Sequence, residues 1–211
     1  MGDGQIWQAI NVIDPVSDKV WAPCPDNTAE DVEAVIQSSH RAFQEYSILN
    51  PKKRAQLLLA WYNLCLAARD DLATLLTHET GKPHSESYGE IDYSLGFLWW
   101  FSGEAERIQG SIATPSAPNR RTLVIKQPIG VAAALVPWNF PIAMVLRKAG
   151  AALAAGCTMV VKPSPETPIT CIVLAHLATK VGFANGCSEC DHNIVGKHPE
   201  FIGEDVYTSL G

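Results

Sequence analysis

The sequence predicts an α/β protein in which a helical half leads into a parallel sheet, and three observations carry that prediction. Residues 130–181 hold two short apolar runs, each followed by a proline-started helical stretch. Four helical stretches precede them, between residues 28 and 108. A proline-punctuated loop and a short strand, residues 111–127, lie between the two halves.

The elements follow in order. Residues 6–22 alternate around Asp14-Pro15 as a hairpin does, with arms at 8–13 and 19–22. Thr28 with Asp31 three residues later forms a capping-box-like start, and Val32, Val35, Ile36, Ala42 and Phe43 then fall on one helical stripe. Asn50-Pro51 opens a second helix, leucine-rich over 57–66. A third runs from about Asp70 to a stop at Gly81, and Pro83 separates it from a fourth at about 85–108. Phe97, Trp99, Trp100 and Phe101 on that helix are expected in the core, or else at a subunit interface, rather than at a ligand site. Residues 111–121 read as a loop with Pro115 and Pro118, and 122–126 as a strand.

The central unit is 130–168. Residues 130–136 are short and apolar enough for a strand buried on both faces, and Pro137 stops it. Pro141 suits a first helical position, where a missing N–H costs nothing. The helix over 142–155 is broken only by Arg147 and Lys148, and Gly156 ends it. A second strand at 158–161 runs into Lys162-Pro163; Thr167 is a fair N-cap and Pro168 a fair start for a helix over 169–181. Strands in such a unit are parallel with a right-handed crossover, and ligands sit beyond their carboxyl ends. Both turns, 137–141 and 162–168, lie there.

These motifs resemble the aldehyde dehydrogenase superfamily. PWNFP at 137–141 and AGAALAAGCTMVVKPS at 149–164 carry the resemblance, and HETGKP at 78–83, the stretch 90–110 and KQPIGV at 126–131 make it most similar to the succinate-semialdehyde dehydrogenase branch. The resemblance covers about residues 10–186. It implies the N-terminal part of such a fold, a helical segment followed by a partial Rossmann-like sheet. Residues 1–186 then form a partial cofactor-binding domain and 187–211 a divergent C-terminal tail. The family's nucleophilic cysteine, general-base glutamate and glycine-rich turn have no match here. The expectation is therefore a shortened or altered member, inactive alone.

The resemblance also assigns roles. Asn139 would donate its side-chain N–H to the oxygen of the tetrahedral adduct; an Asx turn ahead of the helix is the alternative. Lys162 would bond the adenine-ribose hydroxyls of NAD or NADP; the alternative is a solvated strand-end lysine. Pro137, Trp138, Ser164 and Pro165 would line the cofactor. Pro165 occupies the place where NAD-preferring members carry a glutamate, with Glu166 displaced by one, so NADP is at least as well suited as NAD. Arg147, two turns after Asn139, would hold a substrate carboxylate; pairing with an internal acid or another subunit is the alternative. The 111–127 arm would add to a neighbouring subunit, giving a homo- or hetero-oligomer, and a small aldehyde would be the substrate.

Composition narrows the rest. The 211 residues are 47% apolar and 18% charged with a net charge of −6, which suits a globular protein and argues against a nucleic-acid partner. No secretory or membrane segment is read, so a cytoplasmic location is expected. The 6 cysteines are expected to be reduced, with Cys65, Cys157 and Cys171 structural. Cys187, Cys190, His192 and His198 offer zinc-ligand types at unsuitable spacing, so no metal is expected.

Overall fold

A computed structural model of the chain describes residues 9–184 and 187–190. Two antiparallel strands open it, β1 (Ala9–Asp14) and β2 (Lys19–Pro25). Asp14 makes their turn by accepting from the Val16 N–H at 2.9 Å and the Ser17 hydroxyl at 2.8 Å. Four helices follow: α1 (Ala29–Tyr46), α2 (Pro51–Ala67), α3 (Arg69–Thr80) and α4 (His84–Glu104), the last running into a 3-10 turn at Ala105–Arg107. Their starts and stops are the expected ones. Thr28 and Asp31 form a full capping box, Asn50 caps α2 from its side chain ahead of Pro51, and Gly81 closes α3 at φ 72.

The 111–127 segment differs from its reading in one respect. Ser111–Ala113 is a strand, β3, paired antiparallel with β4 (Thr122–Val124), so the first three residues of the expected loop form one arm of a hairpin. Gly110 is required at its base, because a Cβ there would stand 2.1 Å from the Val124 carbonyl oxygen.

The sheet that follows is parallel, in the order β5 (Val131–Leu135), β6 (Thr158–Lys162), β7 (Ser188–Cys190). Helix α5 (Pro141–Ala155) links β5 to β6, and α6 (Pro168–Lys180) links β6 to β7. The third strand begins beyond residue 186, so the sheet runs into the segment assigned to a tail. His192 and His198 lie outside the described residues. Among the described residues no cluster suited to a metal is present, and no helix is long and apolar enough to cross a membrane.

Two burial expectations fail. β5 is not buried on both faces: of its five residues only Ala134 is buried, and Leu135 is 73% exposed. Among the described strands β5 pairs with β6 alone, whereas β6, flanked on both sides, is buried over 158–161. Nor do the tryptophans of α4 enter the core; Trp99 and Trp100 are 60% and 55% exposed. The inward stripe of α4 is Ile91, Leu95 and Leu98, spaced by helical turns, and it turns residues 99 and 100 outward.

One core joins the two halves. Trp61 and Leu58 of α2, Leu76 of α3, Leu98 of α4, Leu146 of α5 and Leu174 of α6 are all buried in it. Cys65, Cys157 and Cys171 are buried as expected, and burial pushes the Cys65 thiol up to about 12, away from reactivity. Long-range hydrogen bonds tie the halves further. At the C-terminal end of α5 the Leu153 carbonyl accepts from the Tyr46 hydroxyl at 3.0 Å and the Ala154 carbonyl from Arg54 Nε at 3.0 Å. A cation there also suits the helix dipole. The Thr158 hydroxyl donates to the Ser39 carbonyl at 3.0 Å.

Candidate functional site

The register of β5 on β6 builds the site. Leu135 stands opposite Lys162, and the Val136 N–H donates to the Lys162 carbonyl at 3.1 Å. The chain therefore leaves both strands side by side at their carboxyl ends. The first turn exposes Pro137, Trp138, Asn139 and Phe140 before α5 begins at Pro141. The second carries Lys162, Ser164, Pro165 and Glu166 and leads to Pro168 at the start of α6. Expected cofactor residues from both turns are thus brought to one edge, with Asn139 beside them.

Details within the turns bear on chemistry. Lys162 is exposed, and its ammonium donates one long bond, 3.4 Å, to the Pro163 carbonyl, leaving donors available for a ligand. The Ser164 hydroxyl donates to the Glu166 carboxylate, so Glu166 is engaged inside its own turn. Arg147 stands apart. Six residues into α5 past Pro141, it is about 9 Å further along the helix axis. Its guanidinium is exposed and lies 5.7 Å from the centroid of the Phe97 ring on α4. No internal acid pairs with it among the described residues.

Neither helix start at this edge caps itself. Phe140 has no capping side chain, and Thr167, in the expected N-cap position, makes no capping bond; its hydroxyl is buried without a partner among the described residues. Two buried glutamates from the helical half take over. Glu79, in the last turn of α3, accepts from the Ile169 N–H at 2.5 Å, the Thr170 N–H at 3.0 Å and the Thr170 hydroxyl. It occupies the N–H groups that Thr167 would otherwise reach. Glu90, in the second turn of α4, accepts from the Ile142 N–H at 2.9 Å and the Ala143 N–H at 3.3 Å. A carboxylate at a helix N-terminus is favoured by both the free N–H groups and the dipole. Lys82, between them in sequence, pairs with Glu90 and donates to the Asn139 carbonyl at 3.1 Å. Sequence reading treats HETGKP and the stretch from Glu90 only as motifs and assigns these three side chains no task. Residues 78–93, HETGKPHSESYGEIDY, are largely polar, so no local signal singles the three out.

Burial is the dominant effect on Glu79. It pushes the carboxyl up to about 7, against the opposing pull of the Thr170 and Ile169 hydrogen bonds. A cavity of about 600 Å³ lies elsewhere, between the ends of α4 and α5 and the base of the hairpin. It is lined by Phe101, Arg107, Ile125, Lys126 and Ala151 among others and contains none of the expected site residues.

Parallel strands opening onto proline-started helices, with an asparagine and a lysine beyond the two strand ends, define the carboxyl edge of an α/β sheet. The aldehyde dehydrogenase family model matches residues 3–199, and the chain belongs to that family. It is 44% identical over 200 residues to human mitochondrial succinate-semialdehyde dehydrogenase, covering 93% of this chain and 37% of that protein. It is 45% identical over 184 residues to the Escherichia coli succinate-semialdehyde dehydrogenase [NADP(+)] GabD, covering 87% and 38%. A crystal structure of an E. coli NADP-dependent enzyme superposes with a TM-score of 0.85 at 44% identity, again over 87% and 38%. The chain thus spans under two-fifths of the length of these relatives. The family match passes residue 186, as β7 does.

Proposed function

We propose that this chain supplies the cofactor-holding and oxyanion-holding portion of an NAD(P)-dependent dehydrogenase that oxidises a short semialdehyde, such as succinate semialdehyde, to its acid. The observation that carries this reading is the pairing of Leu135 with Lys162, which sets the Asn139 turn and the Lys162 turn together at the carboxyl edge of the sheet. The donor set fits a dinucleotide: Lys162 has donors to spare for ribose hydroxyls, and exposed Trp138, Pro137 and Pro165 with half-buried Ser164 offer a lining. When bound there, the nicotinamide supplies the hydride acceptor.

The chain's own residues do the rest of what it contributes. Asn139 aims an amide dipole at the oxygen that gains charge in the tetrahedral adduct, a contact typically worth about 2.7–4 kcal/mol in such sites. Arg147 holds the far carboxylate of the substrate. The thiolate and base that aldehyde oxidation needs come from outside these 211 residues, since none of the 6 cysteines matches the nucleophile motif. Alone, the chain turns over no aldehyde. NADP binds at least as tightly as NAD, because Pro165 stands in the place of the repelling glutamate and Glu166 is engaged by Ser164. The GabD relative, named for NADP(+), is consistent with this preference. A cytoplasmic location accompanies this reading.

The hairpin favours a second reading. Ile112, Leu123 and Ile125 are 74%, 68% and 62% exposed on a two-stranded arm with open edges. Such a surface suits pairing with another subunit. A non-catalytic chain that binds nucleotide, or associates with a full-length relative through 111–127, satisfies it.

Calorimetric titration of the purified chain with NAD and NADP tests the first reading. Binding of either, weakened roughly tenfold or more by Lys162→Ala, supports it. No binding, or NAD far tighter than NADP, counts against the corresponding part. Turnover of succinate semialdehyde that disappears in Asn139→Ala would show that the chain needs no outside thiolate. Co-purification with a full-length dehydrogenase, lost on truncating the arm, favours the second reading.

A further inference from the structure

The geometry assigns to Lys82, held by Glu90, the positioning of Asn139; this rests on the proposed role of Asn139 as oxyanion donor. The turn that carries Asn139 is exposed and makes few restraints of its own. Phe140, at its end, has φ −143 and ψ 65 and provides no side-chain cap. The Asn139 amide has no hydrogen-bond partner among the described residues, as a group awaiting a ligand requires.

One lysine–glutamate pair supplies the missing restraint from four directions. The Lys82 ammonium donates to the Asn139 carbonyl at 3.1 Å, pairs with Glu90 Oε2 and lies 4.6 Å from the centroid of the Phe140 ring. Glu90 Oε1 accepts from the Ile142 and Ala143 N–H groups. Contacts therefore fall on residues 139, 140, 142 and 143, spanning the turn and the first helical residues. The Glu90 side chain is 1% exposed and that of Lys82 13%, so the pair is sheltered from water and its geometry is held by α4 and the α3–α4 connection.

Lysine suits the place because it offers three donors and no acceptor, and its charge favours an aromatic face. Methionine in its place would leave the Asn139 carbonyl without a partner and free the peptide plane that precedes Phe140. The side chain of Asn139 would then lose its fixed aim. Misplacing a polar group of this kind by about 1 Å costs roughly a hundredfold in rate, so Lys82 is a positioning residue for the reaction without touching its substrate.

The test reads the Asn139 side-chain amide directly in the 15N-labelled chain, assigned by its disappearance in Asn139→Asp. In Lys82→Met that signal shifts or broadens while the Asn63 amide, on α2, stays in place. Lys82→Arg, which keeps a donor and a cation, returns it toward its original position. Should Lys82→Met unfold because Glu90 is left with an uncompensated charge, the pair Lys82→Met with Glu90→Gln serves instead. It removes both charges and keeps an acceptor for Ile142 and Ala143. An unmoved Asn139 signal in a folded variant overturns the assignment. The unsubstituted chain gives a second measure. Its Lys82 ammonium protons exchange more slowly than those of exposed Lys52, with a through-space contact to the Phe140 ring; an ammonium that behaves like that of Lys52 also overturns it. Cofactor binding with an unresponsive Asn139 signal removes the positioning role and leaves the proposed function. A responsive signal without cofactor binding does the reverse.

Discussion

Glu79 carries a pH dependence with a definite sign. Its carboxyl is raised to about 7 in the folded chain from an ordinary 4.5. Between those values the folded form holds a proton that the unfolded form has released. The group's contribution to stability is therefore complete below the lower value and is lost as pH rises through the upper one. Denaturation midpoints measured from about pH 5 to about pH 8 should fall with pH, and Glu79→Gln should flatten that fall while keeping an acceptor for α6. Glu79→Ala should lower stability by about 1–3 kcal/mol at the acid end of that range, because the Ile169 and Thr170 N–H groups lose their partner, and by less as pH rises. Neither glutamate cap is legible in sequence. Local caps such as Thr28 reach three residues, whereas Glu79 and Glu90 act across separations of 90 and 52 residues. No periodicity or motif spacing connects positions so far apart before the fold brings them together.

Among elements, the contact of α4 with α5 is set by one small residue. A Cβ on Gly150 would stand 3.0 Å from Phe101 Cδ2 and 3.6 Å from the Phe97 carbonyl oxygen, so α5 offers no side chain of its own where the Phe101 ring packs. Gly150→Val should therefore push α4 off α5 and destabilise by about 1–3 kcal/mol, read as a lower melting temperature and as faster exchange of α4 amides. Gly110→Ala places an atom against backbone rather than a movable side chain, and should disorder the β3–β4 arm with little effect on the core. Hydrogen exchange confined to 111–124 checks it. Helix limits were legible here because Asn50, Pro51, Gly81, Pro141, Gly156 and Pro168 act within a residue or two of the boundary. The burial of β5 and of Trp99 and Trp100 was not. An apolar run looks the same at a sheet edge as at its centre, and four aromatics in five positions fill more than one face of a helix.

At the scale of the molecule the helical half and the sheet share one core and should unfold as a single cooperative body. Arg54 is the side chain to remove: it is 7% exposed and spans from the Leu49 carbonyl at 2.5 Å to that of Ala154. Arg54→Met should cost about 1.5–3 kcal/mol, and tryptophan fluorescence and far-ultraviolet dichroism should still report one coincident transition. The same ties have a consequence for synthesis. Tyr46 meets its acceptor, Leu153, 107 residues later in the chain. At about 5–20 residues per second on the ribosome, α1 waits roughly 5–20 s for its partner to be made. During that interval Val35 and Tyr46, buried in the finished protein, have no sheet to cover them, and the apolar stripe of nascent α1 stays open to water.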